Sequence, residues 1–321
     1  MGAKSERTWF DTGASGGRFV RQESSFRNWV TRDGAPGPSG EGGFRAEFGR
    51  YHLYVSLACP WAHRTLIFRK LKGLEGVISL SAVGAFMGDK GWSFEAEPGV
   101  IPDSVNGARY LSEIYYLADP HYPGRFTVPV LWDKQTRTIV NNESAEIIRM
   151  FNSAFNAAGG NDRDFYPTAL RPEIDRLNDF IYPNINDGVY RAGFATTQEA
   201  YEDAARKLFM ALDGLEQRLA SRRYLTGGTI TEADWRLFTT LLRFDSVYHG
   251  HFKCNLRRLI DYPNLWAYTC DLYQAPGVAE TVNLPFIKKH YYTSHPTLNP
   301  IRIVPIGPLL DFSAPHGRER L

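Results

Sequence analysis

Residues 51–74 read YHLYVSLACPWAHRTLIFRKLKGL. The opening YHLYVSLA is short, β-branched and aromatic, the composition of a buried strand. It stops at Cys59, and Pro60 follows. Proline suits the first position of a helix, because its missing N–H would have had no partner there. Cys59 is therefore expected at or next to the N-cap. Downstream, Ala62, Leu66, Ile67, Leu71 and Leu74 recur at helical spacing, and Gly73 and Gly76 mark the end. The stretch predicts a strand, a tight turn, a cysteine, and a helix running away from it.

That geometry matters chemically. A helix N-terminus carries partial positive charge and unpaired N–H groups, and both favour a thiolate over a thiol. A free thiol titrates at roughly 8.5, and such sites bring it to about 3.5 to 7.5, so a lowered pKa is expected for Cys59. Most free cysteines are instead small buried hydrophobes. The proline directly after Cys59 favours the reactive thiol. Ala62 stands where a dithiol enzyme would carry its second cysteine. The site is monothiol.

The chain has 321 residues, a length that suits two domains with real cores. Hydrophobic residues at 43% and charged residues at 22% are those of an ordinary globular protein. Aromatics reach 14%, with 17 tyrosines and 7 tryptophans, which suits core packing and equally a pocket for flat apolar rings. A formal charge of +2 predicts neither nucleic-acid nor membrane binding. Cys59, Cys254 and Cys270 are too few and too scattered for a disulfide framework. No C-x-x-C pair exists, and His63, four residues from Cys59, makes a poor metal site with it, so no metal is expected. His63 reads as a solvated or hydrogen-bonded helix residue. MGAKSERTWF lacks an apolar signal core, Glu6 breaks the myristoylation pattern, and no run reaches membrane-spanning length. A cytoplasmic protein is expected, where a reduced thiol persists.

Residues 1–45 are glycine-rich loop chemistry, interrupted by the aromatic anchors Trp9, Phe10, Phe26 and Trp29. They read as an irregular extension draped over a domain. After the helix, VISLSAVG supplies a second strand over 77–83, which makes a right-handed βαβ unit with Cys59 at its switch point. From 84 to 124 periodicity vanishes, and a loop this long in a compact domain is usually functional. TVPVLWD resumes as a strand and RTIV returns as a hairpin; Val128-Pro129 is a candidate cis bond. In NNESAEIIRMF, Asn142 is placed to cap a helix whose buried face is Ile147, Ile148 and Phe151. Residues 156–169 read as a linker. Helices follow: one near Pro172 burying Ile174, Leu177, Phe180 and Ile181, one opened by a capping box at Thr196 and Glu199, and one opened by Thr231 and Asp234. Pro285, Pro296, Pro300, Pro305 and Pro308 forbid one regular helix beyond residue 284.

The combination resembles a glutathione transferase: a thioredoxin-like βαβ half with a cysteine at a helix start, a Val-Pro strand, Glu-Ser at a second helix start, and a helical second half. More specifically, CPWAHR, the insertion with GWSF, RFTVPVLWD, NNES, GVYRAGFA and HYYTSH resemble the glutathionyl-hydroquinone reductases, the xi-class, omega-like transferases. The likeness runs from about Trp9 to the PHGR near the end. It implies an α/β plus all-α protein: an extension over 1–45, a thioredoxin-like domain over 46–160 with its insertion at about 84–124, an all-α domain over 165–284, and a tail over 285–321.

The resemblance also implies glutathione as co-substrate, glutathione conjugates of hydroquinones as substrates, and a homodimer. Cys59 would attack the glutathione sulfur and release the ring, and a second glutathione would resolve the mixed disulfide. Trp92, Arg125, Phe126, Thr127 and Val128 match glutathione-binding positions, and Val128 would pair its backbone with the tripeptide. Glu143 and Ser144 match the γ-glutamyl site at a helix N-terminus. Tyr190 matches the proton donor to the ring, and Tyr248 and Tyr291 match tyrosines near the thiolate, with Tyr190 and Tyr291 also on the hydroquinone. Three other readings stand beside this one: a general omega-type thiol transferase or dehydroascorbate reductase, a non-catalytic transferase-fold binder, and a regulatory thiol sensor.

Overall fold

A computed structural model describes residues 11–321, so Trp9 and Phe10 lie outside the described residues. β1 (Tyr51–Ser56) is apolar and aromatic and is buried along its whole length. A fully buried strand needs partners on both edges, and it has them. β2 (Ser79–Val83) lies parallel to it, and β3 (Val130–Asp133) antiparallel on the other side. β4 (Thr138–Asn141) closes the hairpin, giving the order β2-β1-β3-β4. Between β1 and β2 runs α1 (Pro60–Leu71), whose N-cap is Cys59 with Pro60 at the first helical position. Its run ends as expected, with Lys72 as the C-cap and Gly73 turning left-handed after it at φ 68°. The Val128-Pro129 bond is cis.

The stretch 84–124 is not all loop. α2 (Leu111–Ala118) lies within it, capped by Glu113 reaching back to the Tyr110 N–H at 3.0 Å. Its eight residues bury Leu111, Ile114 and Tyr115, too short a stripe to stand out among the surrounding turn residues. α3 (Ser144–Ser153) starts one residue later than expected. Glu143 is its cap, accepting from the Ala145 N–H at 3.0 Å. Asn142 instead accepts from the Phe26 N–H and donates to the Tyr115 hydroxyl, both at 3.1 Å.

Beyond β4 no strand occurs among the described residues. α4 (Arg171–Ile181) buries Ile174, Leu177 and Ile181, but Phe180 is 43% exposed. At about 100° per residue, Phe180 falls well off the stripe that the other three define. α5 (Gly188–Gly193) is a short helix entered through a wide turn over Tyr182–Asn186. α6 (Gln198–Leu219) is capped by Thr197, not Thr196, whose hydroxyl is taken by Thr12 at 2.8 Å. α7 (Glu232–Leu241) has the expected reciprocal box between Thr231 and Asp234. α8 (Pro263–Gln274) and α9 (Leu284–Ser294) complete the helical part, and the proline-rich remainder is irregular until a short turn at Arg318–Arg320. α1 packs against α3 within the first half and against α7 of the helical half, so the cysteine end of α1 sits where the two halves meet. Among the described residues no helix is long and apolar enough to cross a membrane.

Candidate active site

The turn before α1 is pinned from the helical half. Arg243 is fully buried, and its Nε donates to the Ala58 carbonyl at 2.9 Å while Nη1 donates to the Thr239 carbonyl at 2.8 Å. The same Nη1 lies 3.1 Å from His63 Nδ1, and His63 Nε2 lies 2.8 Å from the Thr281 hydroxyl. His63 is thus hydrogen-bonded but not solvated, and burial beside the Arg243 charge keeps it neutral.

Cys59 is partly buried on this turn, its Sγ 3.5 Å from the Val128 carbonyl. The expected N–H donors are present, from Ala62 and Trp61, and the Arg243 and Arg21 charges act in the same sense. Burial outweighs them and pushes the thiol up from its ordinary value, so the expected lowering is not what the folded site gives.

Tyr190 on α5, Tyr248 at the end of the wide turn Phe244–Tyr248, and Tyr291 on α9 come together although 101 residues separate the outermost two. The Tyr291 hydroxyl lies 2.6 Å from that of Tyr190 and 3.1 Å from that of Tyr248. All three are buried, and burial holds each hydroxyl well on the neutral side. The Tyr190 ring stacks on Trp61, two residues after the cysteine, at 6.3 Å and 29°.

Beside them opens a cleft of about 940 Å³, lined among others by Arg125, Thr127, Val128, Glu143 and Ser144. Five of the seven residues expected to hold glutathione therefore share one surface. Glu143 accepts from the Ser24 hydroxyl at 3.0 Å while capping α3. The Ser144 hydroxyl, at the first position of α3, accepts from Arg64 at 3.3 Å. Arg125 is drawn down to about 10 by burial and by the neighbouring Arg21 charge. Thr127 is braced on the Tyr115 hydroxyl, to which its carbonyl is 2.8 Å distant. Trp92 and Phe126 do not line the cleft. Trp92 is buried and stacked on His290 at 4.8 Å, and Phe126 packs edge-on to Tyr115 at 5.5 Å.

Several lining or supporting residues escaped the sequence reading. Arg64, in the CPWAHR motif, is buried with its Cζ 4.5 Å from the Trp61 ring and an Nη2 bond to Asn186 at 2.9 Å. Arg236 on α7 also lines the cleft, as does Arg21 from the extension. Only the motif context of Arg64 was a usable signal; Arg21 and Arg236 reach the cleft through tertiary folding alone. Among the described residues no group of three or more His, Cys, Asp and Glu side chains is placed to hold a metal ion.

Residues 58–154 match the glutathione S-transferase N-terminal domain model, and residues 198–269 match the C-terminal one. A glutathionyl-hydroquinone reductase of Escherichia coli is 59% identical over 97% of this chain and 95% of its own length. One from Sphingobium chlorophenolicum is 56% identical over 94% and 93%. The chain belongs to the glutathionyl-hydroquinone reductases, the xi class of glutathione transferases. The glutathione-bound structure of the E. coli homologue superimposes with a TM-score of 0.91, covering 92% of this chain and 96% of that one. A xi transferase of Saccharomyces cerevisiae in complex with glutathione, 38% identical, gives 0.85 over 92% and 100%. Its xi-class membership fixes the architecture as the transferase pairing of a mixed-sheet first half with a helical second half.

Proposed function

We propose that the chain reduces glutathionyl-hydroquinones with glutathione, releasing hydroquinone and glutathione disulfide. The observation that carries this is the junction of three parts: Cys59 at the start of α1, the buried Tyr190–Tyr291–Tyr248 cluster beside it, and the cleft with Glu143 and Ser144. In the cleft, Glu143 accepts from the γ-glutamyl amine and the α3 N-terminus receives the carboxylate. Val128 aligns the tripeptide backbone, and Arg125 holds its far end. Phe126 supports the glutathione half from behind, packed on Tyr115 whose hydroxyl braces Thr127, whereas Trp92, stacked on His290 away from the cleft, is given no contact with the tripeptide.

Cys59, as thiolate, attacks the glutathione sulfur. A sulfur–sulfur bond forms, the carbon–sulfur bond to the ring breaks, and its electron pair goes to the ring. Tyr190 supplies the proton to the ring, with Tyr291 and Tyr248 behind it as a hydroxyl chain. A second glutathione attacks the mixed disulfide, regenerates Cys59 and leaves as the disulfide. A serine or a tyrosine in place of Cys59 cannot form that intermediate. The test is turnover of glutathionyl-menadiol and a glutathionyl-chlorohydroquinone with and without free glutathione. Wild type should consume both and Cys59→Ala neither; a Cys59→Ala variant with normal turnover overturns the mechanism.

We assign the enzyme to the cytoplasm, a reading supported by three unpaired cysteines. We divide it at the boundaries given above, with the cleft between the sheet half and the helical half. A homodimer is proposed, supported by exposed apolar side chains such as Met210 on α6 at 73% and Ile306 and Leu309 in the tail, both at 92%. Light scattering that returned 36.4 kDa at micromolar concentration would overturn the dimer.

A further inference from the structure

Arg21 comes from the N-terminal segment, remote in sequence from every residue assigned above, yet it lines the cleft. Its Nε donates to Asp187 Oδ1 at 2.6 Å, and Asp187 is 2% exposed. Asp187 is tied to Tyr190 through the backbone, its carbonyl accepting from the Tyr190 N–H at 3.0 Å. The guanidinium carbon lies 4.7 Å from the Tyr190 ring centroid and 4.9 Å from that of Trp61. Nη2 is shielded from solvent and has no hydrogen-bond partner within the fold. A buried donor left so costs about 1–3 kcal/mol, and such a group calls for a reason. Arg243 is committed to backbone carbonyls, whereas Arg64, bonded to Asn186 and Ser144, and Arg236, 3.7 Å from Glu232, each also leave a buried Nε without a partner; of these arginines it is Arg21 that lies over the Tyr190 ring.

We propose that Arg21 donates to a ring oxygen of the bound hydroquinone and stabilises the negative charge that appears there when the ring leaves. The inference deepens the reductase reading and rests on it. A carbanion on an aromatic ring is a poor leaving group. Once the carbon bearing sulfur has taken a proton, as the keto tautomer, the pair released by the breaking carbon–sulfur bond closes a carbon–carbon double bond. The adjacent carbonyl becomes a phenolate, which a proton then converts to the free hydroquinone. Two electrons thus reach the ring, and the two sulfurs are oxidised to the disulfide. Tyr190 serves the carbon and cannot also carry the oxygen's charge. Arg21 is the cation whose position is fixed by the same helix end as Tyr190 and whose charge reaches both Tyr190 and the Cys59 sulfur. Preorganised donors at a developing oxyanion are commonly the largest single contribution to catalysis.

The test uses a series of glutathionyl-hydroquinones, from chlorinated rings with acidic phenols to methylated rings with weakly acidic ones. Turnover is compared among wild type, Arg21→Met and Arg21→Lys, with Tm and glutathione-induced fluorescence change recorded for each. Arg21→Met is expected to lose about 100-fold in kcat on the least acidic phenol, the scale of one oxyanion donor, with the loss shrinking as the phenol becomes more acidic. Arg21→Lys keeps the charge without the fork and should recover part of the rate along the whole series. A loss by one constant factor across the series, or no loss, overturns the proposal, since a packing role is blind to leaving-group acidity. If wild type turns over none of the series, the reductase reading itself has failed and the inference falls with it. That arm separates the two failures.

Discussion

Removing one hydroxyl from the tyrosine cluster should separate the proton donor from its support. The Tyr291 hydroxyl is 2.6 Å from that of Tyr190 and 3.1 Å from that of Tyr248, and Tyr291 is 2% exposed. Three hydroxyls in a chain carry three protons, and burial keeps all of them in place. Tyr190→Phe removes the donor and should lower kcat by roughly 10²- to 10⁴-fold. Tyr291→Phe leaves the donor and removes its 2.6 Å partner. One such bond is worth about 0.5–1.5 kcal/mol, so kcat should fall about twofold to about thirteenfold. The same change takes one partner from each of two buried hydroxyls and should lower stability by about 1–3 kcal/mol. Because Tyr291 acts through Tyr190, the double variant should be no slower than Tyr190→Phe alone. The assay is steady-state turnover of glutathionyl-menadiol, with urea unfolding on the same samples. Effects that multiply in the double variant would refute the chain and make Tyr291 an independent contributor.

Three further outcomes follow from the site and its scaffold. Alkylation of Cys59 by iodoacetamide in the glutathione-free protein should titrate above the free-thiol value of about 8.5, because burial outweighs the helix-end donors; a midpoint below that value would reverse the balance. Glu143→Ala should raise the KM for glutathione and cost about 1 kcal/mol as a lost cap, and an unchanged KM would remove Glu143 from the binding site. Burial works to raise the Asp133 carboxyl, but bonds from Arg50 Nε at 2.9 Å, Thr136 at 2.7 Å and the Gln135 N–H at 3.0 Å overcome it and hold the carboxyl below its usual value. Its contribution is therefore complete above an unfolded pKa of about 3.9 and is lost as pH falls through the lower folded value. Asp133→Ala, which leaves the buried Arg50 only Glu47 and the Gly43 carbonyl, both at 3.0 Å, should cost about 1–3 kcal/mol at pH 7 by urea unfolding.

What the sequence revealed depended on how local each determinant was. β1, the Cys59 cap and α1 follow from strand composition, one proline and helical spacing within 24 residues, and all three are present. The Thr231–Asp234 box is legible for the same reason. Caps at 142–143 and 196–197 were misplaced by one residue, because two adjacent polar side chains compete and tertiary partners decide: Phe26 and Tyr115 claim Asn142, and Thr12 claims Thr196. α2 was invisible because eight residues with one buried stripe fall below what periodicity resolves. The Cys59 thiol illustrates the deepest limit. Helix polarity is written locally, whereas the desolvation that opposes it comes from tertiary packing around the sulfur.

The extension shows how far an irregular segment can enter the chemistry. Its sequence carries turn signals and scattered aromatics, which justified reading it as a drape. In the fold it is stitched along the free side of β4. The Asn28 N–H donates to the Val140 carbonyl at 3.0 Å, and the Asn142 N–H donates to the Phe26 carbonyl at 3.1 Å. An exposed strand edge is a pairing hazard, and this segment covers it. Arg27 then clamps Glu146 in the first turn of α3, its Nε at 2.8 Å, and Ser24 reaches Glu143 at the cap. The direction set by those bonds carries the chain on to Arg21, which arrives over Trp61 and Tyr190. The segment that shields the sheet edge thus also delivers a cation to the ring side of the cleft. Ser24→Ala with Arg27→Ala should accordingly lower turnover through Arg21 without touching Cys59, in proportion to the loss seen for Arg21→Met along the same phenol series. A double variant whose loss ignored phenol acidity would show that the drape and the catalytic arginine are independent.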